Sequence, residues 1–187
     1  MARYQTLIPF NKPGDPNILR FTAKIGGGNA AEAKRRCLEL FRELGAATGA
    51  DMPRNIEEKD VYIEEADPRG EEVMETSALE VSPTIFAMYV TGPLDSATAL
   101  KLDREVYRLQ HLGARRLAID FGKVHPFSSA GLGVLLSLND RLDVRLVKVP
   151  APARVLLQTL GLDSSLAHYN SFPEALTAPR DTLSLGA

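Results

Sequence analysis

Residues 117–136 read LAIDFGKVHPFSSAGLGVLL, and this stretch decides the fold class of the chain. Its first apolar residues are typical of a buried β-strand, which we expect to end at Asp120 or Phe121. A loop follows, and Ser128 or Ser129 then begins a helix whose next residues are small. A hydroxyl at the start of a helix faces solvent beside the positive end of the helix dipole, so it is a candidate position for a phosphoryl group.

Strand and helix patterns alternate from about residue 77 onward, which is typical of an α/β sheet with crossover helices. Strands are predicted over residues 84–91, 117–119, 144–149 and 166–169. Helices are predicted from Asp95 or Ser96 to Leu112, over residues 131–138, over residues 153–160, and from Ser171 through Leu176. The tail, residues 179–187, has little to pack with and is predicted to be flexible.

The motif around Ser128 resembles the signature of the STAS domain, the fold of bacterial anti-sigma factor antagonists. The residues that occupy the signature positions, in order, are Asp120, Val124, Phe127, Ser128, Ser129, Ala130, Gly131 and Leu132. A second anchor is the Leu-x-x-x-Gly-Leu helix end at residues 157–162, followed by Tyr169 and residues 171–176. The resemblance covers residues 75–178 and implies an α/β fold, an STAS-like mixed β-sheet with helices packed on it.

The resemblance also implies a role in bacterial signalling and transcription regulation. In this family a serine-protein kinase, which is also the anti-sigma factor, phosphorylates a serine of the motif. The unphosphorylated antagonist binds that kinase and frees the sigma factor. The phosphoacceptor position falls on Ser129, with Ser128 as the less favoured candidate. Two positions depart from the family pattern: Ser128 replaces a residue that is often Asp, and Pro126 stands where an apolar strand residue is common.

The same resemblance places a partner-binding surface on the loop and helix of the motif. Its residues are Ser128, Ser129, Ala130, Gly131, Leu132 and Gly133. Leu132 and Val134 are candidate apolar contacts with the partner, although one of them must face the sheet. Asp120 is expected to brace the loop by accepting hydrogen bonds from its amides, in preference to acting as a general base.

The sequence offers no pattern that is typical of an enzyme. His111, His125 and His168 lack the spacing of metal ligands. Ser129 lacks the G-x-S-x-G pattern of a nucleophile elbow. We therefore expect no catalytic residue, no metal and no cofactor.

Residues 1–70 are predicted to form an N-terminal extension that is either small and α+β or partly irregular. Breaker residues after Phe10 predict an irregular arm or an edge strand at the start. Asn29 and Glu32 have the spacing of a capping box at the beginning of an amphipathic helix. The predicted parts are a short strand over residues 18–25, the helix over residues 29–45, and an acidic linker over residues 55–75 with a domain boundary near Gly70.

Composition limits the classes of partner and the location. The chain has 187 residues and a formal net charge of -2, so it has no overall field with which to bind nucleic acid or an anionic membrane. The single cysteine, Cys37, excludes an intramolecular disulfide framework and fits a reducing compartment. No window reaches the roughly 18 uninterrupted apolar residues of a membrane-spanning helix. These features predict a cytoplasmic protein that does not insert into a membrane.

Three interpretations of function follow from the sequence. The first is an anti-sigma factor antagonist that binds a protein partner, an anti-sigma factor of the serine-kinase type, with Ser129 as the switch. The second is a STAS accessory subunit of a membrane transport system, which would bind a membrane protein without using a phosphosite. The third is a self-assembling scaffold, a homo-oligomer in which the helix over residues 29–44 drives assembly.

Overall fold

Within the described residues, one mixed β-sheet of eight strands carries helices on both faces. The computed structural model of the chain describes residues 2–66 and 74–179. The strands are β1 (Ala2–Phe10), β2 (Leu19–Gly27), β3 (Tyr62–Ala66), β4 (Glu75–Ser82), β5 (Ile85–Leu94), β6 (Arg116–Phe127), β7 (Asp143–Val147) and β8 (Ala167–Tyr169). The helices are α1 (Ala30–Thr48), α2 (Ser96–His111), α3 (Ser129–Asn139), α4 (Ala151–Thr159) and α5 (Phe172–Thr177).

The strands lie across the sheet in the order β3-β1-β2-β4-β5-β6-β7-β8. Neighbours from β3 to β5 pair antiparallel, whereas neighbours from β5 to β8 pair parallel. Parallel neighbours need a crossover connection, and α2, α3 and α4 supply the three that this sheet requires. The arrangement confirms the predicted α/β fold with a mixed sheet.

Each face of the sheet has its own hydrophobic core. The helices α2, α3 and α4 cover one face, where Leu135 of α3 is fully buried. The helices α1 and α5 cover the other face, where Phe41 and Phe172 are buried. The ring of Phe41 meets Phe10 and Phe21 edge-on, with ring centroids 5.2 and 5.5 Å apart. The helix of the extension is therefore packed directly on the sheet.

The N-terminal strands β1, β2 and β3 continue the sheet that β4 to β8 form. Strand β2 pairs with β4, and β1 lies between β2 and β3. The start of the chain is thus an interior strand, which differs from the predicted irregular arm or edge strand. Pro13, Gly14 and Pro16 all fall in the connection after β1, while Tyr4 and Ile8 within β1 are buried under α1. The breaker residues therefore end the strand without interrupting it.

The predicted acidic linker contains regular structure. A 3-10 helical turn spans Glu58–Asp60, and β3 follows as one edge of the sheet. Val61 is buried and Ile63 packs against the core under α1, whereas Glu64 and Glu65 are exposed. A segment with two apolar residues among many carboxylates has the local sequence of a linker. The strand pairing that gives this segment its structure is not visible in the local sequence. The predicted boundary near Gly70 and the predicted tail, apart from Pro179, lie outside the described residues.

The predicted amphipathic helix is α1, which runs three residues beyond the expected end. Asn29 is its N-cap and accepts a hydrogen bond from the Glu32 N–H at 2.9 Å. The Glu32 carboxylate in turn accepts from the Gly28 N–H at 2.7 Å. The helix passes through Gly45 and ends at Gly49, whose φ of 68° lies in the left-handed region. Glycine adopts that conformation without strain, so Gly49 is the C-terminal stop.

Candidate functional site

The segment that leads to the motif serines is a continuation of strand β6. We expected the strand to end at Asp120 or Phe121, but its pairing with β5 continues as far as Phe127, opposite Leu94. Two register shifts interrupt this pairing, and Val124 is 2% exposed and anchors the segment in the core. The prediction of a loop after Asp120 is therefore wrong. Pairing with β5 keeps this segment in the sheet, although its glycine and charged residues are locally typical of a loop. The peptide bond between His125 and Pro126 is cis.

Ser128 joins the end of β5 to the start of α3. Its backbone N–H and its hydroxyl both donate to the carbonyl oxygen of Leu94, at 2.9 and 3.0 Å. The same Oγ accepts from the Gly131 N–H at 3.3 Å, which makes Ser128 the N-cap of α3. The Ser128 hydroxyl thus both donates and accepts a hydrogen bond within the fold, and the residue is half-buried.

Ser129 is the first residue of α3, and it differs from Ser128 in its exposure and its hydrogen bonding. It is exposed, and its hydroxyl makes no hydrogen bond to any residue that the structure describes. It lies on the first turn of the helix, where unpaired backbone N–H groups and the helix dipole favour negative charge. Of the two adjacent serines, one therefore caps the helix and the other presents a free hydroxyl to solvent.

The two glycines of α3 have different roles. A Cβ on Gly131 would lie 2.6 Å from Leu94 Cγ and 2.9 Å from the Leu94 carbonyl oxygen, so only glycine allows α3 to approach β5 this closely. A Cβ on Gly133 would meet nothing within 4 Å. Gly131 therefore allows the close packing of α3 on β5, while Gly133 leaves the outer face of the helix without a side chain at that position.

The structure divides the six residues predicted to bind a partner into two groups. Ser129, Ala130 and Gly133 are exposed and Ser128 is half-buried, whereas Gly131 and Leu132 are buried. Leu132 is 1% exposed and faces the core, so it is corrected here from a contact residue to a core residue. The exposed Ser137 was missed, although it lies eight residues after Ser129 and four after Gly133 and thus shares their face of the helix.

Asp120 is a buried carboxylate at the sheet position from which β6 continues toward the motif. It is 4% exposed. Its Oδ1 accepts from the Gly122 N–H at 2.8 Å, and its Oδ2 lies 2.9 Å from Lys148 Nζ. The carboxylate therefore fixes the backbone just beyond it and links β6 to the end of β7. Sequence reasoning missed Lys148, although it follows directly after Val147, the strand partner of Asp120.

His111 and His168 lie on other elements, whereas His125 lies on the part of β6 that leads to the motif serines. His111 is at the end of α2, where its Nδ1 is 2.9 Å from the Tyr107 carbonyl oxygen. His125 is exposed on β6, and His168 Nε2 is 3.5 Å from an oxygen of Asp163. Within residues 2–66 and 74–179, no group of three or more His, Cys, Asp or Glu side chains is placed to hold a metal ion. None of the described helices is long and apolar enough to cross a membrane.

Comparison with known proteins gives a family match and several similar structures. An anti-sigma factor antagonist from Mycobacterium paratuberculosis is 26% identical over 54% of this chain and 89% of that chain, with a TM-score of 0.48. The unphosphorylated form of the anti-sigma factor antagonist SpoIIAA is 15% identical over 50% of this chain and 86% of that chain, with a TM-score of 0.44. The phosphorylated form of the Bacillus cell fate determinant SpoIIAA is 17% identical over 50% and 89% of the two chains, with a TM-score of 0.41.

No curated protein matches the chain. The family model of the STAS domain matches residues 76–175, which is more than half of the sequence and runs from the second residue of β4 to the middle of α5. The chain belongs to the STAS domain family.

Proposed function

We propose that this STAS protein is a non-catalytic signalling module of the anti-sigma factor antagonist type. It binds a partner protein of the anti-sigma kinase type in the bacterial cytoplasm through a docking surface formed by Ser128, Ser129, Ala130 and Gly133. Phosphorylation of Ser129 weakens that binding. The observation that carries the proposal is the division of roles between the two serines: Ser128 caps α3, and Ser129 offers an exposed hydroxyl with no hydrogen bond among the described residues.

The geometry favours Ser129 over Ser128 as the phosphoacceptor. Transfer of a phosphoryl group needs a hydroxyl that a kinase can reach. The Ser128 hydroxyl is held by Leu94 and Gly131, so its use as a nucleophile would cost the N-cap of α3. Ser129 can be modified without breaking a contact of the fold.

The docking surface is suited to close approach by a partner. Its exposed residues are small, and Gly133 leaves open space on the outer face of α3. A phosphate at Ser129 adds roughly 1.5 to 2 negative charges and a strongly hydrated group at this point. Burying that group against a partner costs desolvation energy, so the modified surface binds less tightly.

The two other interpretations receive no specific support from the fold. The apolar residues of α1 that would drive self-assembly, among them Cys37, Phe41 and Leu44, are buried against the sheet of the same chain. A role in membrane transport predicts that the bound partner is an integral membrane protein and that the state of Ser129 does not matter. Both remain outcomes of the experiment that follows.

Affinity capture from the native host tests the proposal with the full chain carrying Ser129, Ser129→Ala or Ser129→Asp. We expect the wild type and Ser129→Ala to retain a protein with a serine-kinase domain and Ser129→Asp to lose it. The purified partner with ATP should then phosphorylate the wild type at Ser129, as mapped by mass spectrometry. Equal capture by all three forms, or capture of an integral membrane protein by all three, would rule out the switch.

A further inference from the structure

A cavity of about 280 Å³ lies between α1 and the sheet, and we call it the α1 cavity. Residues of α1, β2, β4, β5 and β6 line it, so the N-terminal extension and the STAS domain each supply part of its wall. It is on the sheet face that α1 and α5 cover, whereas α3 with the docking surface lies on the opposite face. The volume is close to the lower end of the range of about 300–1,000 Å³ that is usual for small-molecule sites. That is room for a small metabolite.

The floor of the α1 cavity carries a buried hydroxyl without a hydrogen bond. Ser77 is 3% exposed, and its Oγ has no partner among the described residues. Buried polar groups in native proteins are nearly always satisfied, so this hydroxyl needs a hydrogen-bond partner that the described residues do not supply. Beside it, the Tyr89 hydroxyl also makes no hydrogen bond within the described part of the chain, and its ring is held edge-on by Phe172 at 5.5 Å.

Burial raises the pKa of Tyr89 to about 12, and the nearby carboxylates of Glu43 and Asp120 act in the same direction. The phenol therefore keeps its proton at physiological pH and remains a hydrogen-bond donor. A ligand that fills the cavity needs an acceptor for this phenol and a partner for Ser77.

The rim of the α1 cavity carries two cations and two anions. Arg36 Nη2 lies 2.5 Å from Glu75 Oε2, and Lys123 Nζ lies 3.5 Å from Glu43 Oε1. Arg36, Glu43 and Lys123 are half-exposed or more, so a ligand can reach them from solvent. A ligand with a single charge would be attracted by one member of each pair and repelled by the other. A zwitterion gains from both, because its two charges can pair with opposite members of the rim.

We propose that the α1 cavity is a binding site for a free α-amino acid. Its carboxylate binds between Arg36 and Lys123, its ammonium group faces Glu43, and Ser77 and Tyr89 hydrogen-bond the part that reaches the floor. The extension thereby gives the STAS domain a site for a small molecule, separate from the docking surface on the opposite face.

Nuclear magnetic resonance titration of the ¹⁵N-labelled full chain tests the site. The probes are the proteinogenic L-amino acids, added one at a time at millimolar concentration, with acetate, methylammonium and glycerol as comparison compounds. We expect at least one amino acid to give saturable shifts of the amides of Ser77, Tyr89 and Lys123, and no saturable shifts from the comparison compounds. No saturable shift with any amino acid, or equal binding of acetate, overturns the proposal.

Variants then locate the binding. Ser77→Ala and Arg36→Gln should each weaken the affinity by about tenfold, the size expected for losing one hydrogen bond in the site. Tyr89→Phe should weaken it as well, while Tyr107→Phe, a matched change at an exposed position of α2, should not. Arg36 is on the surface, so its variant keeps the fold and retains a readout if the Ser77 variant does not. Unchanged affinity in both the Ser77 and the Arg36 variants contradicts the assignment.

Discussion

The backbone N–H and the hydroxyl of Ser128 both donate hydrogen bonds to one acceptor, the carbonyl oxygen of Leu94 at the end of β5. Through this contact the strand that precedes α2 fixes the position at which α3 begins. The proposed docking surface is therefore anchored to the central sheet at its first residue, and its geometry depends on Ser128 and not on the proposed phosphoacceptor Ser129.

The first prediction concerns this anchor. Ser128→Ala removes the N-cap of α3 and should lower the free energy of unfolding by about 1 kcal/mol. Ser129→Ala removes a hydroxyl without a hydrogen bond and should change it by less than about 0.5 kcal/mol. Urea denaturation of the two variants measures the difference. Equal destabilisation by both changes would show that the two serines share the capping role.

The second prediction separates the two glycines of α3. Gly131→Ala places a Cβ against the backbone of Leu94 and should destabilise the fold by roughly 1–3 kcal/mol. Gly133→Ala enters open space and should be neutral or stabilising by up to about 1 kcal/mol, because alanine favours the helix. Thermal unfolding of both variants tests this. A stable Gly131→Ala protein would contradict the close approach.

The third prediction uses Gly133 to test the docking surface without disturbing the fold. Gly133→Glu adds a charged side chain at an exposed position, so it should weaken capture of the partner while the unfolding midpoint stays within a few degrees of the wild type. The matched control is Gln158→Glu, at an exposed position of α4. Binding that survives Gly133→Glu would place the partner elsewhere.

The fourth prediction concerns Asp120 and Lys148. Asp120→Ala leaves the Gly122 N–H without its partner and should cost about 1–3 kcal/mol of stability. Lys148→Ala should cost less, since the lysine side chain is 52% exposed and water can replace it. Chemical denaturation of both variants gives the comparison. A larger loss from the lysine change would mean that leaving the buried Asp120 carboxylate without its cation costs more than losing both of its contacts.

The fifth prediction concerns stability in acid. Burial alone would raise the pKa of Asp143, but hydrogen bonds from Arg145 and Arg116 hold that pKa below its ordinary value. As the pH falls, the Asp143 carboxylate is protonated in the unfolded chain before it is protonated in the folded chain. The pKa of an aspartate in the unfolded chain is about 3.9. The stabilisation from Asp143 is thus complete above about pH 5 and is lost as the pH falls through the lower folded pKa.

Asp143→Asn should therefore flatten the fall of the unfolding free energy between about pH 5 and pH 2, measured by urea denaturation across that range. A slope that is the same in the wild type and the Asp143 variant would contradict the lowered pKa.

The sequence predicted the central fold well because its signals there are local. The N-caps of α2 and α5 are Asp95 and Ser171, both among the expected residues, and Gly113 follows the end of α2 as expected. The candidate serines also came from a local pattern, a polar pair before a run of small residues. Capping and helical periodicity depend on neighbours within four positions, so they are readable without a structure.

The features that the sequence did not predict depend on distant pairings. β6 extends to Phe127 because β5 lies beside it, although the residues after Asp120 resemble a loop. The α1 cavity is formed by side chains as far apart in the chain as Arg36 and Lys123. The different burial of Leu132 and Gly133 depends on how α3 is rotated on the sheet. No local pattern reports any of these three properties.

The pairing of β2 with β4 has a consequence for fragments of this protein. A fragment that begins at Glu75 would carry the complete family match, yet its β4 would be an edge strand with unpaired N–H and C=O groups. Leu79 and Ala87, both fully buried, would lose the cover of α1. Such an edge beside exposed apolar side chains recruits further strands. Oligomers of the shortened chain would thus report aggregation created by the cut, because in the whole protein β2 pairs with this edge and α1 covers these side chains.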